Sequence, residues 1–142
     1  MGVGICGVRV SELTIPRDII ADMLRHVQQV CPEEGCGLLA GIQGIVRKVY
    51  CVENSLHSPT RFEMDPIGQV EALMDMEKNG LELAAIFHSH PDGPDHPSES
   101  DTRLFFYPEA ASLICWREND QWQIRAFQLA EQTWVPVKLN IS

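Results

Sequence analysis

Apolar residues recur at helical spacing between residues 16 and 30, and this pattern predicts the first helix of the chain. The positions that form its apolar face are Ile19, Ile20, Met23, Leu24, Val27 and Val30. Pro16 suits the first helical turn, and the segment SELTIP (11–16) indicates a short strand that runs into the helix. We therefore expect an amphipathic helix with one face in the core.

The apolar runs that follow predict a β-hairpin. Two runs lie within GCGLLAGIQGIVRKVYCVEN (35–54), and the dipeptide Gln43-Gly44 separates them. The first run is nearly all apolar, so we expect a buried strand. The second strand, from Ile45 to Val52, alternates less cleanly between apolar and polar residues.

A polar connection over residues 54–64 separates the hairpin from a second predicted helix. Asp65 and Pro66 suit its N-cap and first turn, and Gly80 suits its C-terminal cap. The compact apolar run LELAAIF (81–87) then predicts a strand.

The last third of the chain predicts a short helix at about 98–107 and three strands. The strands are expected at 111–116, 122–127 and 133–139, with a turn at 118–120. Pro136 marks an edge position, because proline cannot donate a hydrogen bond to a neighbouring strand. The order of elements predicts an α/β fold, with a mixed β-sheet and flanking helices.

Composition and charge narrow the class of protein. The chain of 142 residues, 44% hydrophobic and 22% charged, is typical of one globular domain over residues 1–142. The net charge is −9, and the 11 lysines and arginines are scattered. We expect no nucleic-acid partner and no membrane partner, because both require a concentrated basic face.

The N-terminal segment and the cysteines predict a cytoplasmic protein. The apolar start MGVGICGVRV has no basic leader and is too short for a membrane span. The five cysteines are odd in number and lie mostly in apolar stretches, so free thiols are expected. No pair of cysteines has CxxC spacing.

The segment HSHPDGPDHPSESD (88–101) carries the candidate chemistry. Side chains alternate along a strand, so His88 and His90 point the same way and can bind one metal ion. Pro91 then ends the strand at a loop rich in glycine and proline. A lone histidine at a strand end would more often be solvated or bonded locally, and Ser98 with Asp101 is also a common helix-capping pair.

Taken together, the string matches H-x-H-P-x6-S-x-x-D at His88, His90, Pro91, Ser98 and Asp101. It closely resembles the signature of the JAB1/MPN/Mov34 (JAMM) metalloprotease family. The resemblance implies one zinc ion held by His88, His90 and Asp101. It also implies that Ser98 helps to stabilise the oxyanion, a role that is compatible with capping.

The resemblance extends to a glutamate far upstream of the histidines. The segment PEEGCGLLAG (32–41) fits the family context P-x-E-x-C-G-L-L-x-G, which selects Glu34 over Glu33. A position two residues before Cys36 places Glu34 on the same strand face as Cys36 and Leu38, pointing into the fold. The resemblance implies that Glu34 is the general base. Seen alone, the two glutamates would more often be a solvated linker.

The family implies a JAB/MPN fold, similar to the cytidine-deaminase-like architecture, and a peptidase or isopeptidase activity. The chain is too short for the insertions of the eukaryotic deubiquitinases, which favours the compact prokaryotic branch. Members of that branch cut after the C-terminal Gly-Gly of ubiquitin-like or sulfur-carrier proteins, so such a tail is the expected substrate.

Two alternatives remain beside the peptidase. A non-catalytic MPN scaffold would keep the fold and lose ligands, whereas every catalytic position is filled here. A zinc deaminase would carry H-x-E and P-C-x-x-C elements, which are missing. The oligomeric state is not predicted, and His96 is expected to be a loop histidine that could add a weak second metal site.

Overall fold

The computed structural model describes residues 11–99, 101, 107 and 109–142. The named elements within these ranges are β1 Glu12–Ile15, α1 Arg17–Val30, β2 Cys36–Ile42, β3 Ile45–Val52, α2 Pro66–Lys78, β4 Glu82–His90, β5 Ala111–Glu118, β6 Gln121–Ala130 and β7 Thr133–Ile141. The predicted helix at about 98–107 and the N-terminal Cys6 lie largely or wholly outside the described residues. Within the described part, no helix is long and apolar enough to span a membrane.

The strands form one mixed sheet in the order β1-β3-β2-β4-β5-β6-β7, which closes on itself as a barrel. The pairs β2–β3, β2–β4, β5–β6 and β6–β7 are antiparallel. The pair β4–β5 is parallel, and β1 pairs in parallel with both β3 and β7. This confirms the predicted α/β fold with a mixed sheet, and closure through β1 is the feature that the sequence did not indicate.

Helix α1 covers one face of the sheet, as its spacing predicts. Ile19, Met23 and Val27 are buried, and Ile20 and Leu24 pack partly buried against the same cluster. The cluster includes Leu39 from β2 and Phe87 from β4. Pro16 is the N-cap residue and the helix begins at Arg17, one position later than the pattern suggested.

Helix α2 covers the other face. Its N-cap Asp65 accepts a hydrogen bond from the backbone N–H of Gly68 at 2.9 Å, and the chain turns at Gly80 with φ +68°. Ala72 and Met76 pack against Leu38 and Ile86 of the sheet. Because side chains alternate along β2 and β4, each strand contributes to both clusters, and these central strands are buried on both faces.

The hairpin of β2 and β3 turns at Gln43 (φ 52°) and Gly44 (φ 80°), and β3 has the predicted bounds, Ile45–Val52. The edge assignment of Pro136 is wrong for its strand, because β7 lies between β6 and β1. Pro136 pairs with Phe127 of β6, whereas the described pairs with β1 begin at Lys138. No described residue of β1 pairs with Pro136, so the N–H that proline lacks is not required by β1 at this position.

Candidate metal centre

His88 and His90 are the last residues of β4, at the centre of the sheet. Both side chains are buried, with 2% and 4% of their surface exposed. β4 lies between β2 and β5, where Cys36 and Ile114 pair with His88. Alternation along the strand places both imidazoles on the face covered by α2, so the two rings are held by the core as predicted.

Asp101 lies next to these two histidines, although it is 11 residues beyond His90 in the sequence. The Nε2 atoms of His88 and His90 lie 3.1 Å apart, and Asp101 Oδ2 lies 3.1 Å from the first and 3.3 Å from the second. Three ligands on a tetrahedron around a zinc ion would be separated by about 3.3 Å, given metal–nitrogen distances near 2.0–2.1 Å. The three predicted ligand atoms therefore form a triangle of the size that a small cation requires.

The imidazoles are oriented by different contacts. His90 Nδ1 lies 2.8 Å from the carbonyl oxygen of Pro94, so Nδ1 carries the proton and donates it there. With Nδ1 as the donor to Pro94, Nε2 can present its lone pair to a metal ion, whereas in the metal-free protein a protonated Nε2 can donate to Asp101 Oδ2 at 3.3 Å. Phe62 stacks on the His88 ring, with centroids 4.5 Å apart and an angle of 24° between the planes.

Glu34 lies in the same site, in the segment just before β2, the strand that pairs with β4. It is 3% exposed, and donor atoms of Glu34, His88 and His90 all lie within 4.8 Å of one another. The residue precedes β2 by two positions rather than starting that strand. Its predicted inward direction agrees with this burial.

The charges of the four groups are shifted by burial and by one another. Burial raises the pKa of Glu34 to about 8, although the nearby His90 opposes this shift. Burial would also raise the pKa of Asp101, but hydrogen bonds with His88 and His90 hold it well below its usual range. Burial lowers the pKa of His88. At neutral pH, without a metal, Asp101 is therefore ionised while the Glu34 carboxyl is protonated.

Ser98 and Asp101 form the predicted capping pair. The backbone N–H of Asp101 donates to Ser98 Oγ at 3.0 Å, and the N–H of Ser98 donates to Asp101 Oδ2 at 2.7 Å. The same Oδ2 atom faces both imidazoles. Capping and metal binding thus involve one carboxylate, while the oxyanion role of Ser98 stays a prediction.

His96 lies outside this cluster. Its side chain is 61% exposed, and its Nδ1 atom lies 3.1 Å from Asp95 Oδ1. Asp95 also accepts a hydrogen bond from Arg125 at 2.8 Å, which ties the loop to β6. The structure therefore places His96 as a loop histidine.

The buried polar atoms fit a metal ion at this site. Among the described residues, Glu34 Oε1 and His88 Nδ1 are buried without a hydrogen-bond partner. A buried carboxyl oxygen without a partner, beside two imidazole nitrogens and one ionised oxygen, fits a site that a metal ion and its water would complete. Nitrogen and oxygen donors of this kind suit a divalent transition metal.

Some contacts of the site were missed by the sequence reasoning. Phe62 lies in the polar connection over residues 54–64, which was predicted without a role for its ring. The Pro94 carbonyl is a backbone group, so no residue type could reveal it. Asn54, whose side chain reaches the carbonyl of Glu34 at 3.0 Å, was likewise not given a role.

Comparisons with known proteins agree with this site. Residues 16–130 match the family model for prokaryotic homologs of the JAB domain. A probable TtuB-protein conjugate cleaving protease of Thermus thermophilus is 39% identical over 92 residues, 64% of this chain and 62% of that protein. A desampylase of Pyrococcus furiosus is 41% identical over 91 residues, 64% of each chain. The matched segment thus spans less than two thirds of these two relatives.

Longer matches cover nearly the whole chain. A CysO-cysteine peptidase of Mycobacterium tuberculosis is 27% identical over 135 residues, 93% of this chain and 92% of that protein. A solution structure of a Desulfitobacterium hafniense protein superposes with a TM-score of 0.83 at 34% identity, covering 92% of both chains. A JAB1/MPN domain protein from Archaeoglobus fulgidus gives a TM-score of 0.61 at 19% identity, covering 93% of this chain and 98% of that one, which supports the fold alone.

Proposed function

Because this chain belongs to the family of prokaryotic homologues of the JAB domain, we propose that it is a zinc-dependent metallopeptidase of the JAMM type. It hydrolyses a peptide or isopeptide bond after the C-terminal Gly-Gly of a ubiquitin-like or sulfur-carrier protein. The observation that carries the proposal is the triangle of His88, His90 and Asp101 with the Glu34 carboxyl beside it.

His88, His90 and Asp101 would hold the zinc ion through Nε2, Nε2 and Oδ2. When bound, zinc supplies Lewis acidity, which makes water nucleophilic at neutral pH and polarises a carbonyl group. Three protein ligands of nitrogen and oxygen type are the set that catalytic zinc sites use. The positive charge also favours ionisation of Glu34, because an opposite charge at short range lowers the pKa of a carboxyl group.

Glu34 acts as the general base and then as the general acid. Its Oε1 atom has no hydrogen-bond partner among the described residues, so it can accept a proton from the attacking water. It then delivers that proton to the leaving nitrogen, which departs as a neutral amine. Burial supports this role, because a carboxyl with a raised pKa exchanges protons near neutral pH.

Ser98 stabilises the negative charge that develops on the substrate carbonyl oxygen. Its hydroxyl oxygen accepts the N–H of Asp101 at 3.0 Å, and a serine hydroxyl can donate a hydrogen bond as well as accept one. One such donor is typically worth about 3 kcal/mol of transition-state stabilisation.

The substrate class is proposed from the relatives and from the chemistry of glycine. The names of three relatives describe a conjugate-cleaving protease, a desampylase and a CysO-cysteine peptidase. A Gly-Gly tail can lie extended close to a buried site, because glycine has no side chain to clash with the walls. Cytoplasmic localisation and a single domain over residues 1–142 remain predictions.

Metal removal and restoration test the proposed cofactor. We expect the purified protein to contain close to one zinc per chain by elemental analysis. Exhaustive chelation should abolish cleavage of a carrier protein extended beyond its Gly-Gly, and added zinc should restore it. Cleavage that persists after complete removal of the metal would overturn the proposal.

A further inference from the structure

Asn54 lies at the start of the polar connection between β3 and α2, and it is 6% exposed. Its Nδ2 group donates to two carbonyl oxygens, those of Glu34 and Arg61, each at 3.0 Å. Its Oδ1 atom accepts the backbone N–H groups of Leu56 and Glu63, each at 3.1 Å. All four hydrogen bonds that an asparagine side chain can make are therefore made.

Two of these contacts concern the peptide groups next to the proposed base. The carbonyl of Glu34 is held by Asn54, and its N–H donates to the carbonyl of Ser58 at 2.8 Å. The following residue, Gly35, donates its N–H to Ser89 Oγ at 2.7 Å and accepts the N–H of Ser89 at 2.9 Å. The backbone at Glu34 is thus fixed on one side by the polar connection and on the other by β4.

The other contacts fix the polar connection itself. Asn54 bonds to the residues on both sides of Phe62, namely the carbonyl of Arg61 and the N–H of Glu63. Phe62 is the residue whose ring stacks on His88. One buried amide therefore links the backbone of Glu34 with the segment that covers a predicted metal ligand.

The hydrogen bonds of Asn54 fix the backbone of Glu34, whereas no hydrogen bond from a described residue fixes the Oε1 atom of its side chain. Its Oε1 atom has no hydrogen-bond partner among the described residues, so no side-chain contact at that atom sets its position. The backbone therefore matters for its position, and at Glu34 the backbone lies outside β2 and lacks the full support of a strand ladder. A shift of 1 Å in a catalytic group can lower the rate by about 100-fold.

We propose that Asn54 is a positioning residue for the proposed reaction, which holds the backbone of Glu34 so that its carboxyl faces the proposed metal site. The inference rests on the proposed function of Glu34 as the base. It assigns no contact between Asn54 and the substrate.

The test compares two variants at Asn54 with a neighbour. Asn54→Ala removes all four bonds, and Asn54→Asp keeps the acceptor oxygen for Leu56 and Glu63 while replacing the amide donor. The matched control is Ser55→Ala, which removes a hydrogen bond within the same connection, from Ser55 Oγ to the carbonyl of Glu63 at 3.1 Å, without touching Glu34.

For zinc-loaded Asn54→Asp we expect kcat to fall by about 10- to 100-fold, the range seen when an outer partner of a metal site is lost. KM and the zinc Kd from chelator competition should stay within about threefold of the original values. In the metal-free protein, the amides of Glu34 and Gly35 should exchange with solvent at least about tenfold faster in both Asn54 variants. Ser55→Ala should change none of these quantities.

A folded Asn54→Asp variant with the original kcat would overturn the inference, and so would an equal loss in Ser55→Ala. If Asn54→Ala does not fold, the Asp variant decides the question. Should the unaltered zinc-loaded protein cleave no carrier, the proposed function fails. Amide exchange would then still decide whether Asn54 holds the backbone of Glu34.

Discussion

At the scale of single residues, the site combines two carboxyl groups in opposite protonation states. Hydrogen bonds with the two histidines keep Asp101 ionised, whereas burial keeps Glu34 protonated in the metal-free protein. One carboxylate is thus ready to bind a cation, and the other is ready to exchange a proton near neutral pH.

The raised pKa of Glu34 predicts how stability depends on pH in the metal-free protein. Its pKa is about 8 in the folded state against 4.5 ordinarily, so the folded state retains a proton that the unfolded chain releases between these values. The free energy of unfolding therefore falls as the pH rises through this window, by roughly 5 kcal/mol in all.

The substitution Glu34→Gln removes the carboxyl group whose titration causes this loss of stability. We expect urea denaturation of the chelated variant to give a flatter profile between pH 5 and 8, and a higher stability than the original protein at pH 8. Glu71→Gln, at an exposed position of α2, should retain the decline. Equal pH profiles for Glu34→Gln and the original protein would contradict the prediction.

Asp101→Asn tests the predicted third ligand. The change removes the charge that faces both imidazoles, so zinc affinity should fall by more than about 100-fold, beyond the effect of an outer partner. Chelator competition measures this directly. Asp95→Asn is the control, because Asp95 is a loop carboxylate that is 40% exposed and bonds to His96 and Arg125. Equal zinc affinity in the two variants would count against Asp101 as a ligand.

The sequence placed Glu34, His88, His90, Ser98 and Asp101 in one site, and the described structure brings them together. This was possible because the segments 32–41 and 88–101 resemble the JAMM signature, and that resemblance implied the common site. The Pro94 carbonyl and the Phe62 ring escaped prediction, because their positions depend on the path of the backbone rather than on a pattern of residues.

At the scale of elements, the close packing of β2 explains the glycines of its motif. A Cβ atom on Gly37 would lie 2.2 Å from the carbonyl oxygen of Tyr50 and 2.4 Å from the Phe87 ring. Tyr50 belongs to β3 and Phe87 to β4, so both neighbouring strands approach the glycine. The register that pairs Cys36 with His88 depends on this approach.

Gly37→Ala should therefore destabilise the protein by about 3 kcal/mol or more, because backbone cannot move aside cheaply. Gly68→Ala is the matched control. Its Cβ would meet Val52 Cγ1 at 3.1 Å, and alanine favours the helix by up to about 1 kcal/mol, so little change is expected. Chemical denaturation of both variants measures the difference. Similar stabilities would show that β2 and its neighbours can separate.

Local sequence patterns predicted the elements whose formation depends on neighbouring residues. Helical spacing gave α1, and Gln43-Gly44 gave the hairpin turn. Pairing between β1 and β7 joins strands more than 100 residues apart in sequence, and such pairing leaves no local signal. The same long-range pairing places β7 inside the sheet rather than at an edge, although the described pairs with β1 do not reach Pro136.

At the scale of the whole molecule, binding of a metal ion at the predicted site should increase the free energy of unfolding. The site joins β4, the segment before β2 and the loop that ends at Asp101, so a bound ion cross-links distant parts of the chain. A ligand that binds only the folded state at 100 times its Kd adds about 2.7 kcal/mol to the free energy of unfolding.

Zinc should therefore raise the Tm of the metal-free protein by roughly 5–10 °C under those conditions. Thermal denaturation with and without zinc measures the shift. His88→Ala should lower the Tm and abolish the shift, because the triangle of donor atoms is lost. A shift of equal size in His88→Ala would place the zinc elsewhere in the chain.

We propose that the cluster of Glu34, His88, His90 and Asp101 hydrolyses the bond that follows a Gly-Gly tail. The most direct measurement is the intact mass of a carrier protein, extended beyond its Gly-Gly, after incubation with the zinc-loaded protein. We predict a single product that ends at the second glycine, and no product with zinc-loaded Glu34→Gln. An unchanged mass with the fully loaded protein, or the same product from Glu34→Gln, would contradict the claim.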